Sequence, residues 1–125
     1  MSRTVFIQAY FNTFHSFVDE LMKAFPEDTL LPAQKMSLSL LQRTNPMLLI
    51  KTVHETILPY QKMIEDRNTD FFLKHSYSDE TSADSSLEPL IQKIKEMWTE
   101  LTPTNHRVIW DYITNLLLLG KRCVD

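Results

Sequence analysis

The stretch of sequence that decides the fold reads SRTVFIQAYFNTFHSFVDELMKAF over residues 2–25. Its apolar residues recur in alternating steps of four and three, which is the spacing of one face of an α-helix. A second apolar flank widens that face, so we expect this helix to be buried on more than one side. The face consists of Ile7, Phe11, Phe14, Val18, Leu21 and Phe25, and the flank of Phe6, Tyr10 and Phe17.

Prolines separate the remaining helices, because proline breaks the interior of a helix but is tolerated in its first turn. Pro26 ends the first helix, and we expect Asp28 or Thr29 to cap the second. Pro59 either kinks the third helix or begins a fourth. The residues predicted to face the core are, helix by helix, Ala33, Met36, Leu40 and Leu41 in the second; Leu49, Val53 and Ile57 in the third; and Tyr60, Met63 and Ile64 after Pro59. They are Leu87, Ile91, Ile94, Trp98 and Leu101 in the next helix, and Ile109, Tyr112, Ile113, Leu116 and Leu117 in the last.

Local signals also mark where the later helices begin and end. Asn45-Pro46 and Thr102-Pro103 each combine a capping side chain with a proline at the first helical position. Ser85 and Glu88 have the spacing of a capping box. Gly120 stands where the last helix is expected to end, at the position just after the helix that favours glycine.

Glycine is nearly absent from this sequence, since Gly120 is the only one in 125 residues. Tight hairpins, phosphate-binding loops and dinucleotide-binding turns need glycine, so these classes of structure are excluded. The length fits one domain, and a hydrophobic share of 43% is ordinary for a globular protein. The sequence predicts an all-α, compact bundle of five to six helices, with residues 1–125 forming a single domain.

Acidic charge is concentrated in one segment of a chain whose net charge is −3. Residues 76–89 carry four acidic side chains and no basic one, whereas the rest is nearly neutral. Because small polar residues bury too little apolar area to offset the entropy of ordering, residues 76–86 are predicted to form a mobile, acidic, Ser-rich loop. Ser76, Thr81 and Ser85 each precede an acidic residue by three positions and are candidate phosphorylation sites.

Histidine and cysteine form no recognisable metal or catalytic motif in this sequence. The histidines at positions 15, 54, 75 and 106 include no pair at the one-turn spacing of zinc or di-iron ligands. A phosphocarrier role for His15 or His54 lacks the small, basic surroundings that such a site needs. Cys123 is the single cysteine and has no disulfide partner or adjacent base. We therefore predict no catalytic, cofactor-binding or metal-binding residues, and no cofactor.

A calcium loop is the one further ligand pattern that the sequence suggests. Asp66, Asn68 and Asp70 have the spacing of the first three ligands of an EF-hand. The sixth position would be Phe71, where the sharp turn requires glycine, and the twelfth would be Tyr77, where a bidentate glutamate is required. The segment is therefore predicted to be a polar break between helices.

The sequence holds more apolar residues than the predicted core faces use. Phe71, Phe72, Leu38, Leu118 and Leu119 fall outside those faces. Apolar residues outside the core faces often form a contact surface for a partner or a second copy of the chain. A bundle that buries one helix on all sides would also bury such residues. We name Phe71, Phe72, Leu118 and Leu119 as the candidate interaction surface, and expect Leu118 and Leu119 to meet in a symmetric homodimer.

Membranes and nucleic acids are not the expected partners. No apolar run, including Leu116–Leu119, approaches the ~18 residues that span a bilayer. Basic residues are scattered and form no stripe for phosphate contact, so nucleic-acid binding is not expected. The first residues do not have the pattern of a secretory signal, and we expect an intracellular protein.

The order of several short motifs resembles small uncharacterised helical proteins of large DNA viruses that infect algae and protists. The motifs are Phe25-Pro26-Glu27-Asp28, Asn45-Pro46, Pro59-Tyr60, Asp70-Phe71-Phe72 and Ile109-Trp110-Asp111-Tyr112 through Leu119. The resemblance implies a protein of the host cytoplasm or nucleus, or of the virion. The leading hypothesis is a non-enzymatic helical protein–protein interaction module, as a viral accessory or minor virion protein. The alternatives are a small enzyme or ligand carrier with a site between helices, and a nucleic-acid-binding accessory protein.

Overall fold

The computed structural model describes residues 3–75 and 87–124, and every regular element in those ranges is helical. The α-helices are α1 (Arg3–Ala24), α2 (Leu30–Thr44), α3 (Pro46–Ile57), α4 (Gln61–Asp66), α5 (Thr69–Lys74), α6 (Leu87–Met97) and α7 (Pro103–Val124). Single 3₁₀ turns, Leu58–Tyr60 and Trp98–Glu100, continue α3 into α4 and extend α6. The described residues therefore form six helical units, which confirms the predicted all-α bundle.

The helices begin at the capping residues that the sequence indicates. Asp28 Oδ1 accepts hydrogen bonds from the backbone N–H of Leu30 at 2.9 Å and of Leu31 at 3.1 Å, whereas Thr29 makes no side-chain cap bond. Asn45 Oδ1 accepts from the first turn of α3 at 3.3 Å, and Thr102 Oγ1 from the first turn of α7 at 3.1 Å. Each cap satisfies a backbone donor that the helix itself leaves unpaired. Ser85 of the predicted capping box lies outside the described residues.

The long helices α1 and α7 pack antiparallel. The Arg122 guanidinium lies 5.9 Å from the centre of the Phe6 ring, and the rings of Phe17 and Tyr112 stack 5.4 Å apart. The first turn of α1 is therefore beside the last turn of α7. Most of the predicted stripe of α1 is buried, which confirms that this helix supplies the core.

Gly120 does not end the last helix, and this part of the sequence interpretation is wrong. The α7 helix continues to Val124, and Gly120 is buried inside it. A Cβ atom at Gly120 would lie 2.7 Å from Nδ1 of His54, in α3. Glycine fits here because the His54 side chain of α3 occupies the space that a Cβ at position 120 would need. Among the described residues, a left-handed conformation ends α4, where Arg67 has a φ of 50°.

The second helix is rotated relative to its predicted orientation. Ala33, Met36 and Leu40 were expected to face the core, but all three are exposed. Leu38, which lies outside the predicted core faces, is buried together with Leu31. The physical reason is a set of contacts with α1 that the local pattern does not contain, and these contacts define the candidate site.

Candidate interaction surface

One face of α2 is fixed against α1 by alternating apolar and polar contacts. Leu31 and Leu38 are buried, and Lys35 between them forms an ion pair with Asp19 of α1. These positions recur at the spacing of one helix face. The contacts therefore set the rotation of α2 about its own axis.

A second polar contact between these two helices lies further along the same face. Gln42 Oε1 is 3.0 Å from Nε2 of His15, one turn before Asp19 in α1. From the His15–Gln42 pair to the Asp19–Lys35 pair, the residue number rises in α1 and falls in α2, so the two helices are antiparallel. Because this side of α2 contacts α1, the opposite side points away from the bundle.

The opposite side of α2 is exposed, and it carries no charge in its middle, because the exposed Arg43 lies at its C-terminal end. We call this side the α2 outer face and define it as Ala33, Met36, Ser37, Leu40 and Thr44, all of which are exposed. Met36 is 75% exposed and Leu40 is 54% exposed. The hydroxyl of Thr44 donates to the backbone carbonyl of Leu40 at 2.8 Å, so it is already satisfied within the helix. The solvent side of a helix ordinarily carries charged and polar residues, and this one carries two large apolar side chains instead.

The four residues predicted as the interaction surface do not form one surface. Phe71 and Leu118 are exposed, on α5 and α7. Phe72 is buried, with its ring 5.6 Å from Trp98 and 5.9 Å from Trp110, so its assignment to an outer surface is wrong. A six-residue helix cannot expose two adjacent phenylalanines equally, because successive side chains point about 100° apart.

The remaining candidate at this end of the chain, Leu119, is half-buried and packs against the core. Leu118 is exposed, but its neighbours on the same side of α7 are Asn115 and Arg122. A single exposed leucine among polar residues is common on protein surfaces. The candidate phosphorylation sites Ser76, Thr81 and Ser85, and the predicted acidic loop over residues 76–86, lie outside the described residues.

The four histidines occupy four separate environments. His15 contacts Gln42, His75 Nε2 lies 2.8 Å from the Tyr60 hydroxyl, and His106 Nε2 lies 2.8 Å from the Trp98 carbonyl. His54 is buried against Gly120, and its Nδ1 has no hydrogen-bond partner among the residues that the structure describes. Within residues 3–75 and 87–124, no group of three histidine, cysteine or carboxylate side chains is placed to hold a metal ion.

The segment tested as a calcium loop has a structural role. Asn68 Oδ1 accepts a hydrogen bond from the backbone N–H of Phe71 at 3.1 Å and so caps α5. Phe71 is itself part of that helix, where an EF-hand would require a glycine turn. Asp66, Asn68 and Asp70 therefore belong to the polar break predicted between α4 and α5.

Cys123 and Tyr10 are buried side by side between α7 and α1. Burial raises the pKa of the Cys123 thiol, and the nearby Arg3 guanidinium offsets this only in part. Burial and the neighbouring thiol also raise the pKa of Tyr10, whose hydroxyl has no hydrogen-bond partner in the described part of the chain. Because a nucleophilic cysteine must be a thiolate, this arrangement does not activate Cys123.

An ion pair joins the start of α2 to α6. Lys93 Nζ lies 3.0 Å from Asp28 Oδ2, while Asp28 Oδ1 caps α2. Burial favours the protonated form of Asp28, but the hydrogen bond from Lys93 and those from Leu30 and Leu31 outweigh it, so the Asp28 pKa is lowered. The hydrogen bond to Asp28 likewise raises the pKa of Lys93. This pair is a structural link rather than a reactive site.

The described helices include none that is long and apolar enough to cross a membrane. Comparison of this sequence and structure with family models, curated proteins and solved structures gives no match.

Proposed function

We propose that this protein is a non-enzymatic helical interaction module, and that a second copy of the chain covers the α2 outer face. The observation that carries the proposal is the exposure of Met36 and Leu40, one turn apart on the outer side of α2, whose charged residue, Arg43, lies at the C-terminal end. Burying a methionine or leucine side chain fully contributes roughly 1.5–3 kcal/mol. A two-fold contact repeats every such burial, so one pair of residues supplies four buried side chains.

The charges near this face are compatible with pairing between identical surfaces. Lys35 is neutralised by Asp19 on the inner side, and Arg43 lies at the C-terminal end of α2. If two α2 helices cross antiparallel, Met36 of one copy meets Leu40 of the other and Arg43 meets Ala33. No like charges are then opposed at the centre, as a symmetric interface requires.

The proposal also includes the biological setting that the sequence resemblance implies. We place the protein inside the infected cell or in the virion, as an accessory or minor structural component. Self-association through a helix suits such a role because it needs no cofactor and no enzymatic activity. The order of helix boundaries and core aromatics in the sequence is what supports this setting.

Sedimentation equilibrium of matched variants tests the proposal. The unmodified protein at tens of micromolar should sediment as a dimer, and Leu40→Glu as a monomer with unchanged helical circular dichroism. Leu118→Glu is the control, because it places the same charge at an equally exposed leucine on a different helix. A monomeric unmodified protein would contradict self-association. If Leu118→Glu dissociates the dimer and Leu40→Glu does not, the interface lies on α7, as the sequence predicts, and the proposed interface on the α2 outer face is wrong.

A further inference from the structure

An apolar cavity of about 90 Å³ lies within the bundle. Side chains from α1 and from α3 through α7 line it, including Val53, Ile64 and Ile94. Ile57, Ile91 and Ile113 also line it and are only half-buried, so the cavity approaches the surface at their side. The cavity is separate from the α2 outer face, which contributes none of its lining residues.

The polar side chains in the lining direct their hydroxyl groups to protein partners. Thr56 Oγ1 donates to the backbone carbonyl of Thr52 at 2.8 Å. The Tyr60 hydroxyl is hydrogen-bonded to Nε2 of His75 at 2.8 Å. A buried water needs two to four polar partners, which this lining does not offer. The space therefore favours an occupant that makes no hydrogen bonds.

The volume limits the size of that occupant. It exceeds the roughly 10–15 Å³ that admits one water, and it is smaller than the ~150 Å³ of an apolar cavity known to accept benzene. We infer that the cavity is a binding site for a small hydrocarbon group, such as a short saturated alkyl chain. Dispersion contacts with the surrounding isoleucines are the source of affinity, because an apolar group in the cavity makes many such contacts at once.

Methyl NMR with dissolved xenon and propane tests this inference. Xenon probes apolar cavities in general, and propane belongs to the proposed ligand class. Both should shift the δ1-methyl signals of the lining isoleucines in a saturable manner, and propane should displace xenon. The lining isoleucines are Ile57, Ile64, Ile91, Ile94 and Ile113, and the control isoleucines outside the lining are Ile7, Ile50 and Ile109. Equal shifts in both groups, or no saturable shift in the lining group, would overturn the inference.

A polar probe and a filling variant complete the test. Ethanol is close to propane in size but carries a hydroxyl, and it should leave the lining methyl signals unchanged. Val53→Ile adds one methyl group to the cavity wall and should reduce the xenon-dependent shifts several-fold, whereas Val5→Ile, at an exposed position, should not. Ethanol shifts as large as those of propane, or unchanged xenon shifts in Val53→Ile, would each contradict the assignment.

Discussion

Replacing Gly120 with alanine should destabilise the fold, although alanine is the better helix former. The new Cβ would lie 2.7 Å from His54 Nδ1, so the imidazole ring of this buried side chain must shift. Overpacking of a core costs about 1–3 kcal/mol, and replacing glycine within a helix gains about 1 kcal/mol. We expect a net loss of about 1 kcal/mol in the free energy of unfolding, within a range of roughly 0–2.

Urea unfolding followed by circular dichroism measures this effect, and a double-mutant cycle isolates its cause. Asn115→Ala, at an exposed position of α7, is the control and should change the free energy of unfolding by less than about 0.5 kcal/mol. In a His54→Ala background the clash is absent, so Gly120→Ala should stabilise the protein by up to about 1 kcal/mol. If Gly120→Ala has the same effect in both backgrounds, the close contact between α3 and α7 does not exist.

Three further predictions concern other parts of the packing. Tyr10→Phe removes a buried hydroxyl that has no partner among the described residues, and it should raise the free energy of unfolding by about 1 kcal/mol in urea titration; a lower free energy of unfolding would show that the hydroxyl makes a hydrogen bond. Because the Asp28 pKa is lowered, its ion pair with Lys93 stabilises the fold above the ordinary carboxyl pKa and is lost as the pH falls through the lower folded value. Asp28→Asn keeps the cap but not the charge, so its unfolding free energy should be lower at pH 7 and should fall less between pH 5 and about pH 2. Phe72→Ala should cost about 3–5 kcal/mol and Phe71→Ala much less, and equal costs by thermal melting would refute the burial difference.

The caps and the core stripe of α1 could be predicted because they are local. Asp28 and Asn45 bond to backbone groups two or three residues away, so sequence neighbours alone determine them. In α1 the apolar face is broad and aromatic, and one orientation buries much more area than any other. Local patterns are reliable where a single face dominates.

The rotation of α2 could not be predicted because that helix has two apolar sides. Leu31 and Leu38 define one side, and Met36 and Leu40 the other, about half a turn away. The contacts with α1, among them the Lys35–Asp19 ion pair and the His15–Gln42 bond, decide between the two sides, and these partners are far apart in sequence. The sequence therefore predicts the apolar stripe of Met36 and Leu40, but it does not determine whether this stripe faces the core or the solvent.

The role of Gly120 could not be predicted for a related reason. A glycine near the end of a helical pattern is often a helix terminator, and that reading needs only local sequence. Its actual partner, His54, is in α3, so the close contact exists only in the folded chain.

Thiol labelling tests most directly the claim that α2 exposes an apolar stripe which a second copy covers. Met36→Cys and Leu38→Cys place a thiol on the outer and the inner side of the same helix, and the native Cys123, fully buried, is an internal slow reference. At high dilution Met36→Cys should react rapidly and Leu38→Cys as slowly as Cys123; at tens of micromolar the reaction at position 36 should slow as the dimer forms. Faster labelling at position 38 than at position 36 would contradict the orientation of α2, and a rate at position 36 that does not depend on concentration would contradict the dimer.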